Sequence, residues 1–198
     1  MKSSSIRIVA GQLKGRTIST LPGRTTRPTS QRAREALFSI IGEQIRNATV
    51  ADLFAGTGAV GLEALSRGAT KALFIEQNPL AGAKIQQMLT QFKISSLSRV
   101  LIEDVSLAIQ NSVLVGWRPF DMIFMDPPYR LPNVQQILHH LEEADVMAPN
   151  GRIIYEHFHK TTPPASLGNW SLIRTARYGD TGFTFYQPMP PTEEDSDR

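Results

Sequence analysis

Along most of the chain, short apolar runs alternate with stretches in which apolar side chains recur every three or four residues, as strands alternating with amphipathic helices would give. Five runs read as strands: residues 50–54 (VADLF), 72–76 (ALFIE), 99–104 (RVLIED), 120–126 (FDMIFMD) and 151–157 (GRIIYEH). A helix follows the first and closes at Gly68, a C-cap glycine. After the second, Asn78 offers an N-cap and Pro79 a first-turn proline, ahead of an apolar face made by Ala83, Met88, Leu89 and Phe92. Further helices are expected between the third and fourth strands and over residues 134–144. Residues 170–178 and 183–188, separated by Gly-Asp-Thr-Gly, read as a terminal antiparallel hairpin. The pattern predicts an α/β fold: a doubly wound, mixed, seven-stranded Rossmann-like sheet with helices on both faces.

Ahead of this unit, Ile6, Ile8, Leu13 and Ile18 alternate around Gly11 and Gly15, which predicts a small hairpin. A Pro-, Gly- and Arg-rich loop follows. Ala33, Ala36, Leu37, Ile40, Ile41 and Ile45 then fall on one helical stripe, with Thr29 or Ser30 as its cap. The expected organisation is therefore a hairpin-and-helix extension over 1–46, a main domain over 47–189, and a disordered tail over 190–198, too polar and proline-rich to bury anything.

Charge sharpens that division. The net charge is only +3, yet residues 1–46 carry nine basic groups against Glu35 and Glu43, so the remainder is net acidic. A basic face of this kind suits phosphate, because each Lys or Arg set against one releases condensed counterions. Arg7, Lys14, Arg16, Arg24, Arg32 and Arg34 are the candidate RNA contacts. The chain has no cysteine, which excludes disulfides and thiolate metal sites and fits a reducing, cytoplasmic setting. Neither a signal-peptide core nor a run of about 18 apolar residues is present in the sequence.

The chemistry concentrates in two stretches. "DLFAGTGAVGLEA" sets Gly56, Gly58 and Gly61 in a G-x-G-x-x-G that leaves a strand and opens a helix, where backbone N–H groups and the positive helix end receive a ligand. Twenty residues past Gly56, Glu76 ends the second strand, where a carboxylate can accept from both ribose hydroxyls; Asp104 ends the third in the same manner. Asp52 and Phe54, on the strand that enters the glycine loop, join the candidate cofactor set. A nucleoside-bearing cofactor is expected. A nicotinamide dinucleotide matches the glycine pattern, but 198 residues leave no room for a substrate domain, and hydride transfer gives no role to the second stretch.

That second stretch is Asp126-Pro127-Pro128-Tyr129, at the end of the fourth strand. An exocyclic base amine is a poor nucleophile because its lone pair is delocalised into the ring. Acceptors aimed at its two N–H bonds, here the Asp126 carboxylate and the Pro127 carbonyl, favour the pyramidal, positively charging nitrogen of a methyl transfer. The prolines stiffen the loop, and Tyr129 offers a face for an unstacked base.

Asp-Pro-Pro-Tyr behind such a loop resembles the amino-group methyltransferases that use S-adenosylmethionine. With "RIVAGQLKGR", "TRPTSQRAREALF", "FIEQNP" and "MDPPY", nearly the whole chain resembles the bacterial methyltransferases that modify guanine N2 in 16S ribosomal RNA. The resemblance implies Gly56 and Gly58 at the methionine portion of the cofactor, Glu76 at the ribose, Asp104 and Val105 at the adenine, and Asp126 to Tyr129 at the target guanine. It also implies that Thr26 to Thr29 close over the cofactor, with Arg27 and Arg32 near its carboxylate or an RNA phosphate. Gln77 departs from the Asp or Lys often found after the ribose carboxylate. The implied partner is small-subunit RNA or a 30S assembly particle, met by a monomer. Adenine-N6 methylation of DNA, protein glutamine methylation (which has Asn in place of Asp126) and a non-catalytic RNA-binding assembly factor remain as alternatives.

No metal site is expected. His139, His140, His157 and His159 lack a supporting ligand pattern. Trp117 and Trp170 read as packing residues, and Phe38 as core, with a place in the base pocket as its alternative.

Overall fold

The computed structural model describes residues 5–20, 30–111, 113–128 and 134–189. The Thr26–Thr29 segment with Arg24 and Arg27, Tyr129, and the 190–198 tail lie outside the described residues. An N-terminal antiparallel hairpin, β1 (Ser5–Arg7) and β2 (Thr17–Ser19), is followed by helix α1 (Gln31–Ile41). Then come β3 (Thr49–Asp52), α2 (Ala59–Ser66), β4 (Lys71–Ile75), α3 (Pro79–Gln91), β5 (Ser98–Leu101), α4 (Val105–Gln110), β6 (Phe120–Met125) and α5 (Val134–Glu143). The chain ends in β7 (Met147–Phe158), β8 (Ser166–Leu167), β9 (Trp170–Tyr178) and β10 (Thr181–Pro188).

The main sheet has the order β5-β4-β3-β6-β7-β10-β9-β8. Its first five strands are parallel, and β10 enters antiparallel between β7 and β9. The seven expected strands are all present in the mixed sheet, and the two-residue β8 extends its edge. The sequence order reverses beside β3: from it the chain winds outward to β4 and β5, then returns to β6 on the other side. In open α/β sheets the crevice at such a switch point binds ligands.

Two apolar layers sandwich the sheet. On one face Phe74, Met122, Phe124, Ile154, Phe183 and Phe185 pack with α1, α2 and α3; on the other Leu73, Ile75, Ile123, Met125, Ile153 and Tyr186 pack with α4 and α5. Local sequence sets the helix starts. Ser30 accepts from the Ala33 N–H (3.1 Å), and Asn78 accepts from Leu80 and Ala81 (3.0 and 3.1 Å) ahead of Pro79. On α3 the buried face is Ala81, Ile85, Met88 and Leu89, with Ala83 exposed, because it stands two residues from both Ala81 and Ile85 and so on the opposite side of the helix.

The N-terminal extension shares this core. Ile8, Leu13, Ile18, Leu37, Phe38 and Ile41 belong to the layer on the α2 face, and the Phe38 and Phe124 rings lie 6.0 Å apart. Phe38 is core, 1 % exposed. The hairpin docks on the end of α2 by hydrogen bonds: Gln12 N–H donates to the Ser66 carbonyl (2.8 Å) and Leu13 N–H to the Ser66 hydroxyl (2.9 Å). Gly11 (φ +82°) is obligatory, since a Cβ there would stand 1.8 Å from the Ser66 carbonyl oxygen.

Arg34 corrects an expectation. It is fully buried, not an RNA contact: its Nε lies 3.5 Å from Glu63 Oε2, and its NH2 donates to the Arg7 carbonyl. Glu63, also fully buried, accepts from the Val9 and Ala10 N–H groups (2.8 and 3.0 Å) and from Arg67 Nε (2.8 Å). One buried carboxylate thus ties the hairpin, α1 and α2 together. A charge this deep persists only when paired and hydrogen-bonded.

Candidate active site

The carboxyl ends of β3, β4 and β6 converge at the switch point. β3 stops at Asp52, and the chain turns through Gly56 (φ +55°) and Gly58 (φ +72°) into α2. Both glycines lie in the left-handed region, where other residues are strained. A Cβ on Gly56 would meet only the Phe54 carbonyl, at 3.8 Å, so the loop leaves open space there. Gly61 has a different purpose. A Cβ on it would stand 2.3 Å from the Phe74 ring, so its task is close packing of α2 on β4.

Three acidic groups gather round this turn. Glu76, just past β4 and 7 % exposed, accepts the Gly56 N–H on Oε2 and the Asn78 N–H on Oε1, each at 2.8 Å. Asp52, 4 % exposed, accepts the Gly61 N–H at 3.1 Å. Burial pushes the Asp52 carboxyl up to about 7; the Gly61 hydrogen bond opposes this, while Asp126 and Glu76 add to it. Asp126 follows β6 directly, and burial raises it to about 6. Asp52 and Asp126 are thus close enough for the charge of one to disfavour that of the other.

Asp126 leads into Pro127, which is buried, and Pro128, which is exposed. Tyr155, opposite Met125 on β7, is raised by burial and by the charge of Asp126. Phe54 packs partly buried against the layer below the crevice. Asp104 does not end a strand: β5 stops at Leu101, and Asp104 caps α4, its Oδ1 accepting from Ser106 and Leu107 (2.9 and 3.4 Å). The RVLIED run is cut short because Asp104 satisfies the opening N–H groups of a helix rather than a ladder. Val105, buried, is the first residue of that helix.

The structure therefore brings Asp52, Gly56, Gly58, Glu76 and Asp126 together at one end of the sheet, with Asp104 and Val105 beyond β5. Arg7, Lys14, Arg16 and Arg32 are exposed on the hairpin and α1, and the Arg16 guanidinium lies over the Phe92 ring at 5.5 Å. His157 is a packing residue: burial lowers its pKa, and its ring nitrogens lie 2.9 Å from the Phe158 carbonyl and the Thr184 hydroxyl. Among the described residues no His, Asp or Glu cluster could hold a metal. No described helix is long and apolar enough to cross a membrane.

Comparison with known proteins gives this arrangement its setting. The family model described as "Conserved hypothetical protein 95" matches residues 6–187. The chain is 32% identical over 195 residues to the Ribosomal RNA small subunit methyltransferase D of Escherichia coli K12, covering 98% of this chain and 96% of that one. It is likewise 32% identical over 182 residues to the protein of the same name from Haemophilus influenzae, covering 92% and 93%. A solved Escherichia coli protein, yhhF, superposes with a TM-score of 0.80 at 31% identity, over 95% of this chain and 100% of that one. An RNA methyltransferase from Salinibacter ruber, solved with S-adenosyl-L-homocysteine, shares the fold at 18% identity, with a TM-score of 0.61 over 84% and 97% of the two chains.

Proposed function

Because the chain belongs to the Conserved hypothetical protein 95 family, that of the small-subunit ribosomal RNA methyltransferases named above, we propose that it methylates the exocyclic N2 of a guanine in 16S ribosomal RNA, within a 30S assembly particle and as a monomer. The observation that carries this reading is the adjacency of the Asp126-Pro127-Pro128 tip of β6 to the glycine turn of β3, linked electrostatically through Asp52.

The crevice suits S-adenosylmethionine. Open space at Gly56 and the left-handed turn at Gly58 leave backbone approachable for the methionine portion. Glu76, whose oxygens hold the Gly56 and Asn78 N–H groups at the rim of the crevice, takes the ribose hydroxyls. Asp104 and Val105 would take the adenine, Asp52 and Phe54 the floor beneath, and Thr26 and Arg27 the cover over it. When bound, the cofactor supplies an electrophilic sulfonium methyl.

The chain's own residues hold and orient the acceptor. The Asp126 carboxylate and the Pro127 carbonyl accept the two N–H bonds of the guanine amine, so its lone pair is directed at the methyl group. Transfer of that methyl would leave the nitrogen positively charged, with the Asp126 carboxylate set against it. The nitrogen then releases one proton, to Asp126 or to water. A carboxyl held near 6 is ionised at neutral pH and ready to accept. Tyr129 stacks the extruded base, while Arg7, Lys14, Arg16, Arg24 and Arg32 meet RNA phosphates.

Labelled methyl transfer offered side by side to 30S particles, naked 16S RNA and duplex DNA tests the reading. Label on the N2 of one small-subunit guanine is the expected result. Label only on DNA adenine, or none despite RNA binding, would replace it by one of the alternatives.

A further inference from the structure

A second carboxylate stands at this end of the sheet, apart from those that hold the cofactor and the amine. β7 runs parallel to β6 with Met125 opposite Tyr155, so one register step further Asp126, just past the end of β6, falls beside Glu156, two residues before the end of β7. Phe124 and Ile154, two residues before each, both pack in the layer on the α1 side. Side chains alternate along a strand, so Asp126 and Glu156 project toward that same side. Glu156 lies across from Phe183 on β10 and is 8 % exposed. The sheet thus sets two carboxylates side by side, one half-buried and one buried, against the crevice.

We propose that Glu156 reads the target base, accepting the N1–H of the guanine whose N2 amine is held by Asp126 and the Pro127 carbonyl. The inference rests on the guanine-N2 reading and deepens it. Guanine is the RNA base whose Watson–Crick edge carries two adjacent donors, N1–H and the N2 amine. Two adjacent carboxylates, acceptors only, are its complement. Adenine sets an N1 lone pair beside its amine, and cytosine an N3 lone pair beside its own; either would face the Glu156 oxygen with no proton between them. A site built to accept a substrate N–H rejects an analogue that lacks it, because a lone pair of the base is then pressed against a carboxylate oxygen. Base identity is then decided in the catalytic crevice itself.

The test uses 30S particles reconstituted with 16S RNA that carries either guanine or 2-aminopurine at the methylated position. 2-Aminopurine keeps the 2-amine and replaces N1–H with a lone pair. Wild-type chain is expected to prefer guanine by roughly 10²-fold or more in kcat/KM. In E156Q, whose amide can donate to N1, the preference should fall to within about tenfold, chiefly by gain on 2-aminopurine. Calorimetric affinity for S-adenosylhomocysteine should not change. Equal loss on both templates in E156Q would assign Glu156 to the fold and overturn the inference. Wild-type chain using 2-aminopurine as readily as guanine would overturn it without any variant, which covers the case of E156Q failing to fold. Wild-type chain that methylates neither template removes the guanine-N2 reading itself, and this inference with it.

Discussion

Glu76 Oε2 accepts the Gly56 N–H at 2.8 Å, so the tip of β4 holds the glycine turn of β3 in shape. Replacing Glu76 by Ala removes the proposed ribose acceptor and strands the N–H groups of Gly56 and Asn78. Hydrogen bonds to a charged group are worth about 1.5–3 kcal/mol each, so loss of the two ribose contacts should raise the Kd for S-adenosylhomocysteine about 150-fold or more. Calorimetry reads this directly. An unchanged Kd would take Glu76 out of the cofactor site.

The role proposed for Asp126 is on the amine rather than on the cofactor. Asp126→Ala should lower kcat by roughly 10²–10³-fold, as loss of one preorganised electrostatic partner does, with cofactor affinity preserved. Wild-type kcat/KM should fall on the acid side with an apparent pKa near 6. Asp126→Asn should abolish that limb. A variant that keeps both the wild-type rate and the wild-type pH profile would refute the assignment.

The same burial makes stability depend on pH. Asp52 is held at about 7, above its ordinary range, so the folded chain binds this proton more tightly than the unfolded one. Its contribution is complete below about pH 4 and is lost as pH rises through about 7. Asp52→Asn removes that loss and keeps an acceptor for Gly61. Cofactor-free D52N should gain on wild type by a few kcal/mol, order of magnitude, between pH 4 and pH 8 in urea unfolding. A constant difference across that range would show that Asp52 titrates normally.

The parts of this molecule that depend on short-range pattern were readable in the chain. Asn78-Pro79 announces a helix start and Gly56-Gly58 a strand-to-helix turn because each is fixed by local backbone chemistry. Asp104 misled because a strand-end carboxylate and a helix cap have the same sequence signature. Arg34 misled for another reason: it was read by its charge. Its position, three, four and seven residues before Leu37, Phe38 and Ile41, sets it on the buried stripe of α1. That spacing was the available sign that its charge is spent inside the fold. Glu63, the only charged residue in α2, carried the matching sign, but only the tertiary fold could pair the two. Glu156 had no local signature at all, since its neighbour Asp126 is thirty residues away and reaches it only across the β6–β7 register.

The exposed basic groups should act through charge. Neutralising Lys14, Arg16 and Arg32 together, as K14Q/R16Q/R32Q, should weaken RNA binding and reduce the slope of log K against log salt by about 0.7–0.9 for each phosphate left without its cation. Titrations across a salt series separate this from misfolding, which would lower affinity without changing the slope. An unaltered slope would move the RNA interface away from the hairpin and α1.

Arg34 and Glu63 form the junction between the extension and the methyltransferase domain, and their energetics should be strongly non-additive. Arg34→Met alone leaves the Glu63 charge with Arg67 and two backbone N–H groups, and should cost less than the reverse deletion. Glu63→Leu alone leaves the Arg34 guanidinium buried with no counter-charge, a situation that costs about 3–5 kcal/mol. It also frees the Val9 and Ala10 N–H groups, so their hydrogen exchange should quicken ahead of the sheet amides. In R34M/E63L the stranded charge is gone, so the double variant should be more stable than the sum of the singles predicts, by about 0.5–3 kcal/mol of coupling. Urea unfolding of the four chains closes this cycle. Additive losses would mean that the two charges are solvated separately.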